Sequence, residues 1–400
     1  MPLPDDFRSL CSHQVVPDEH GLPIQLVREA LTAARDDPGS NLGDHLACAF
    51  DFLVSVRFHN SLKPENWLWC PHCSLDIHSV LNACPACCLD ERFVHVRGNK
   101  PGSGVIGPVT SSSLQDLIAA LFAETSNGKK LVYTCREPAD LLLADTARRA
   151  AFFCEVKSAP LFTAPCALPH QSDFNVVGNP LAHNHRLGIM RQFHKLDVSL
   201  FVPVRDNGFQ LVPLGAGPGA PDWAEVGLLN ALRSDPGLFP RISRAWRDLW
   251  ILYQTKASAD PRFWLTGGCG RPRNPGDGWP TDGKGRPQGS ISDGKTSVGM
   301  DRTDDIKKST FQVLKLGVEH RSALERSGWD VGIGLLGNLP AARHYDNYLS
   351  SYENVVWTRT EAEADPGSWS NLFDAVASFT VSRIRSTFLT DLLDFGRSWL

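Results

Sequence analysis

Hydrophobic spacing separates stretches of helical period from short, unbroken apolar runs. Residues 24–36 and 41–58 carry apolar side chains at helical spacing, with Asn41 placed to cap the second helix and Asp44 in its first turn. After a glycine-rich loop over 98–110, Ser111–Glu124 starts Ser-rich and is apolar at 114, 117, 118, 121 and 122, which predicts an amphipathic helix. Lys130–Cys135 reads as a strand. Two apolar runs follow, Leu141–Ala144 and Ala150–Val156, joined by the polar link Thr146–Arg149. Runs of that length bounded by turn-tolerant residues read as buried strands, and the link is hairpin-sized. Downstream, the pattern predicts a helix from about His185 to Leu196. A hairpin of 197–204 and 209–213 follows, around the turn-forming Asp206-Asn-Gly208. Residues 222–258 read as helical, with Trp223, Trp246 and Trp250 as core. A helix over 303–316, strands at Val331–Leu336 and Asn354–Thr358, and amphipathic helix through 370–395 complete the reading.

Folding the central hairpin about its link pairs 145 with 150, and the same register sets Asp140 opposite Glu155. Side chains two apart share one face of a strand, so Lys157 joins Glu155 on the face that meets Asp140. Two carboxylates and an ammonium thus converge at one end of an apolar hairpin, where uncompensated charge is costly. A Mg²⁺ ion held between Asp140 and Glu155 compensates them, since Mg²⁺ is bound by one or two carboxylates plus phosphate and water. Lys157 is then placed to orient or deprotonate the attacking water, or to offset charge on phosphorus.

This Asp-x14-Glu-x-Lys arrangement resembles the signature of the PD-(D/E)xK nuclease superfamily, with Glu155–Pro160 similar to its second half. Ala139-Asp140 stands in place of the Pro-Asp pair, and Pro138 lies one residue early. The resemblance spans Glu137–Pro160 only, of 400 residues. It implies an α/β fold with a restriction-endonuclease-like αβββαβ core, a central mixed sheet flanked by helices. The segment 185–213 would supply the last helix and strand, with a small zinc ribbon and helical lobes added. It also implies a further acid on the first core helix, for which Glu124 is the candidate and Glu137 the rival; as plain sequence, both read as surface charge. His183 and His185 read as surface histidines beside that core. The implied activity is that of a Mg²⁺-dependent type II restriction endonuclease on double-stranded DNA. A homodimer is implied where the site is palindromic, in a bacterial cytoplasm. The alternatives are a repair or recombination nuclease with the same core, and a non-catalytic zinc-ribbon DNA-binding protein.

The cysteines add a second chemistry. Cys70-x2-Cys73-x10-Cys84-x2-Cys87 has the spacing of a tetrahedral Cys₄ site for structural Zn²⁺, with Cys88 as a spare thiol and His72 and His78 as lesser rivals. Four thiolates leave no open position, which argues against a zinc enzyme. The other cysteines sit in apolar surroundings and read as reduced core thiols.

Charge narrows the partners. The net charge of -4 excludes a uniformly basic coat, so DNA contact must come from local patches. Between Arg262 and Arg321, eleven basic residues face seven acids. Arg271, Arg273, Lys284, Arg286 and Lys295 lie on a Gly- and Pro-rich stretch, and Arg302, Lys307, Lys308, Gln312 and Lys315 on or beside the following helix. The DNA-binding assignment rests on these residues, with Gln312 placed to read a base edge. A second Asp-x-Lys, Asp293 with Lys295 and Asp277 or Asp282 upstream, ranks lower because its Gly-rich surroundings make a buried strand hard to build. No apolar run approaches the roughly 18 residues of a membrane span, and no signal peptide is evident. The chain is therefore expected in the cytoplasm, divided as a helical lobe over 1–62, a zinc ribbon over 63–98 and a nuclease core over 99–260. A basic recognition segment over 261–321 and C-terminal strands and helix over 322–400 complete it.

Overall fold

The hairpin anticipated between Leu141 and Val156 forms the middle of the larger of two main sheets. The computed structural model describes residues 3–37, 39–73, 75–99, 103–168, 193–204, 208–215, 217–272, 274–276, 278–292, 298–301, 303–357 and 370–395. The chain divides into two units: Met1–Phe50, Thr110–Ala159 and Ser297–Leu400 make the first, Asp51–Val109 and Pro160–Thr296 the second.

The first unit opens with α1 (Asp5–Leu10) and β1 (Cys11–Gln14), then α2 (Leu22–Asp36) and α3 (Leu42–Asn60), which runs on into the second unit. Asn41 caps α3 as its sequence suggests, its Oδ1 accepting from the Gly43 amide at 2.8 Å. The second unit contributes β2 (Leu68–Cys70), β3 (Leu75–His78) and α4 (Pro85–Leu89). Helix α5 (Ser103–Ser126) begins earlier than the Ser-rich signal predicts and carries Pro108 within it. It is also long and apolar enough to pass a membrane-span test, contrary to the sequence expectation. Its Leu114, Leu117, Ile118, Ala120 and Leu121 are buried, as in the core helix of a folded domain.

Then come β4 (Lys130–Cys135), β5 (Leu141–Asp145) and β6 (Ala150–Val156). The chain passes into the second unit through β7 (Cys166–Ala167), β8 (Ser199–Val204), β9 (Gly208–Pro213), α6 (Trp223–Ser234) and α7 (Leu238–Thr255). It returns as α8 (Thr303–Glu325) and β10 (Asp330–Gly337), the short helices α9 (Tyr345–Tyr348) and α10 (Ser350–Glu353), β11 (Val356–Trp357), β12 (Ser370–Asn371), β13 (Ala375–Ser378), β14 (Ser382–Ile384) and α11 (Thr390–Leu393).

The fold is α/β. The first unit's sheet is mixed and seven-stranded, in the order β1-β4-β5-β6-β10-β13-β14, antiparallel from β1 to β6 and parallel across β6, β10 and β13. One face carries Leu142, Ala144, Ala151, Phe153, Ile333 and Leu335, packed with Phe7 of α1 and with Ile306, Val313 and Leu316 of α8. Leu141, Leu143, Phe152 and Cys154, of opposite parity, are fully buried as well. A strand buried on both faces explains the unbroken apolar runs of β5 and β6. The second sheet runs β2-β3-β7-β8-β9, all antiparallel.

Several expectations are corrected. The hairpin at 197–213 forms, with Val204 paired to Gly208, but in the second sheet. The parallel partner of β6 is β10 instead, where Gly334 lies so close to β13 that a Cβ there would meet the Ala375 carbonyl at 1.9 Å. Only a glycine-bearing apolar strand fits between two parallel neighbours at that point. Of the helix expected over 185–196, only a short turn at Phe193–Lys195 falls within the described residues. Residues 370–395 begin as short strands and turn helical only from Thr387, because Ala375–Ser378 is buried by pairing with β10, a partner that local periodicity does not reveal. The units also cut across the contiguous division expected from sequence. β1 pairs with β4, so 1–62 is no separate lobe; 160–260 belongs with the zinc cysteines; α8 belongs with β5 and β6.

Candidate active site

Antiparallel pairing of β5 with β6 runs from Asp145↔Ala150 to Leu141↔Cys154. Past the last pair the Asp140 amide also donates to the Cys154 carbonyl at 2.9 Å, so Asp140 and Leu141 both lie against Cys154 and the regular register that would oppose Asp140 to Glu155 stops one residue short. The Val156 amide, turned away from the ladder, donates to Asp140 Oδ2 at 2.8 Å and fixes that carboxylate. On its other side β6 is held by β10: Leu335 pairs with Glu155, and the Lys157 amide donates to the Leu336 carbonyl at 2.8 Å. The Asn338 side chain pins the exit of the strand, accepting from the Ala159 amide at 3.0 Å and donating to its carbonyl at 2.8 Å.

Lys157 Nζ donates to Glu155 Oε1 at 2.6 Å and to the Val156 carbonyl at 3.0 Å. The Asp140 carboxylate lies close enough for its charge to act on Glu155. Burial, then the Asp140 charge, pushes the Glu155 carboxyl up to about 7, while Lys157 pulls it partly back. Glu155 and Lys157 share the strand parity of Phe153, so they face α8. There an open cleft of about 580 Å³ is lined by Glu155, Lys157, Lys307, Lys308, Phe311 and Gln312. Two adjacent carboxylates can hold a hard divalent cation, and the lysines can neutralise a bound phosphate.

Glu124 is not brought to this site. Both its oxygens accept from Arg28 of α2, at 2.9 and 3.1 Å. The end of α5 leads into β4 at Lys130, which pairs with Asp145; that is the far end of the hairpin, roughly 17 Å along the strand from Asp140. Glu137 is exposed in the turn before Asp140. Among the DNA-binding candidates, Lys307, Lys308 and Gln312 reach the cleft, whereas Arg271, Lys284 and Arg286 belong to the second unit. Arg286 there pairs with Asp282 at 2.8 Å in an exposed turn, which leaves Asp282 committed outside any metal site. Arg273, Asp277, Asp293, Lys295, Arg302, His183 and His185 lie outside the described residues. Phe311 and Asn338 were not anticipated. Helical spacing from Lys307 and Lys308 could have found Phe311; nothing local marks Asn338.

In the second unit the sulfurs of Cys70, Cys73, Cys84 and Cys87 all lie within 4.8 Å of one another, with Cys70–Cys87 at 3.6 Å and Cys73–Cys84 at 3.5 Å. A tetrahedral Zn–S distance of about 2.3 Å places sulfurs roughly 3.8 Å apart, so the quartet fits zinc. Cys70 ends β2 and Cys87 lies in α4. Contact with Cys73, then Cys84 and Cys87, draws the Cys70 thiol far below its usual range. Both histidine rivals are engaged elsewhere: His78 Nδ1 meets His59 Nδ1 at 2.8 Å, and His72 meets Arg92. Cys88 is buried outside the quartet, its thiol pushed up by burial.

Fold and site together define an α/β protein with an acid-pair-and-lysine cleft on one sheet and a four-cysteine metal site beside another. Comparison with protein-family models, curated proteins and solved structures returned no match.

Proposed function

We propose that this protein is a Mg²⁺-dependent deoxyribonuclease of the PD-(D/E)xK superfamily, and within it a type II restriction endonuclease cutting double-stranded DNA at a fixed sequence. The observation that carries the reading is the convergence of Asp140, Glu155 and Lys157 at one strand end, facing lysines on a helix. The element order supports it: α5 precedes three antiparallel strands, and α8 leads into a parallel fourth, the αβββαβ order of that core. Asp140, fixed by the Val156 amide, and Glu155 would hold the cation, which when bound supplies positive charge to the scissile phosphodiester. Lys157 Nζ, close to Glu155, orients the attacking water or offsets charge building on phosphorus. Lys307 and Lys308 anchor the flanking phosphates. Zinc on the four cysteines is structural in this reading, and a homodimer follows where the target is palindromic.

Phe311 favours a second reading. Its ring is 64% exposed beside two lysines, an arrangement suited to stacking an unpaired base, as a repair or recombination nuclease requires. Supercoiled plasmid, linear duplex and single-stranded DNA incubated with Mg²⁺, against an EDTA control, separate these readings. Discrete bands from duplex support restriction, and preference for single-stranded or branched DNA supports repair. Asp140→Ala and Lys157→Ala should each abolish cutting while DNA binding persists. Failure of the folded, metal-supplied protein to cut any of these DNAs would remove both readings.

A further inference from the structure

We propose that Gln312 supplies a third oxygen to a divalent-cation site formed with Asp140 and Glu155, an inference that rests on the metal reading of that pair. The stripe of α8 turned to the sheet runs through Ile306, Ser309, Val313 and Leu316, all buried. Gln312 lies beside Val313 and one turn from both Ser309 and Leu316, so a polar amide occupies the edge of a packed stripe. Its Oε1 is shielded from solvent and has no hydrogen-bond partner among the described residues. A shielded acceptor without a donor costs free energy, and Gln312 is one of the residues lining the cleft of Glu155 and Lys157. Lys157 Nζ is already committed to Glu155 and to the Val156 carbonyl. Glu155 offers a carboxylate in that cleft, and Asp140 a second one at the same end of the strand pair. A cation among these oxygens would offset their mutual repulsion.

The chemistry of the third group fits a hard cation. Amide carbonyls ligate such ions beside carboxylates, and a neutral oxygen adds a ligand without adding a third negative charge. This places Gln312 at the metal rather than at a base edge, the role its sequence position first suggests. Mn²⁺, which four thiolates bind poorly compared with zinc, is the probe.

The test titrates Mn²⁺ into zinc-loaded, full-length protein and follows free Mn²⁺ by electron paramagnetic resonance. Gln312→Leu should weaken the uptake that Asp140→Ala abolishes by roughly tenfold or more, without lowering the melting temperature of the Mn²⁺-free protein. Gln312→Glu should bind at least as tightly as wild type. Wild-type Mn²⁺ affinity in Gln312→Leu overturns the inference, and more plainly if that variant loses DNA affinity in the absence of divalent ions. Equal losses in the Leu and Glu variants, with lowered melting temperatures, show a packing role and overturn it too. Should wild type take up no Mn²⁺ that depends on Asp140, the metal reading of the acid pair fails first and the inference falls with it.

Discussion

Glu155 is where a proton held by the buried carboxyl would compete with the proposed cation. Its folded carboxyl titrates at about 7 against an ordinary 4.5, because burial and Asp140 both disfavour its charge. The group's contribution to stability is therefore fully present below pH 4.5 and is lost as pH rises through 7, a change of up to roughly 3 kcal/mol. Glu155→Gln removes that loss: without metal, the variant should melt several degrees above wild type at pH 8 and near it at pH 5. Thermal melts in EDTA-treated buffer at the two pH values check this, and equal wild-type and variant melts at pH 8 would contradict it. With Mg²⁺ or Mn²⁺ present the pH trend inverts, since the cation needs the carboxylate and its affinity should rise from pH 6 to 8. The strand period of two and one register count were enough to place Asp140, Glu155 and Lys157 together in the sequence. Glu124 was misplaced because position on a helix says nothing about which end of the next strand that helix abuts. Asn338 and Gln312 owe their settings to partners more than 150 residues away in sequence.

Helix α8 turns the acid pair into a cleft. Ile306, Val313 and Leu316 pack it on the sheet, so Lys307 and Lys308 are carried to the end of β6. If those lysines neutralise phosphates, each alanine substitution should weaken DNA binding uniformly across sequences. Each should also flatten the plot of log affinity against log salt by about one unit. Fluorescence anisotropy in Ca²⁺, over a salt series, reads both quantities; an unchanged slope would place the lysines off the DNA path. The helix itself is legible in the sequence over 303–316, with Lys307, Lys308 and Lys315 on it. Its place was not, because the residues that pack against it lie on β5 and β6, before the whole of the second unit's long insertion. For the same reason β13 reads as helix in the sequence: Ala375–Ser378 is too short to show a period, and only its pairing with β10 makes it a strand.

At the scale of the whole chain, each unit is assembled from segments separated by the other. A contiguous reading could recognise the zinc knuckles and the acidic hairpin but not which strands each would gather. The zinc cysteines join a small core of Ile77, Val96, Ala167 and Phe201, drawn from widely spaced segments of the second unit. So few apolar side chains stabilise little on their own, and metal coordination supplies folding free energy directly. The full-length protein should carry one zinc per chain by elemental analysis. Stripping it with a chelator should speed hydrogen exchange in Leu68–Cys70, Leu75–His78 and Pro85–Leu89. Leu141–Asp145, Ala150–Val156 and Asp330–Gly337, strands of the other sheet with their own two-faced core, should stay protected. Cys84→Ser should give the same pattern without chelator. Because the acid pair is built wholly within the first unit, zinc loss should also leave Asp140-dependent Mn²⁺ uptake intact. Loss of that uptake together with zinc, or exchange rising equally in both sheets, would mean that the quartet supports the sheet that carries the acid pair.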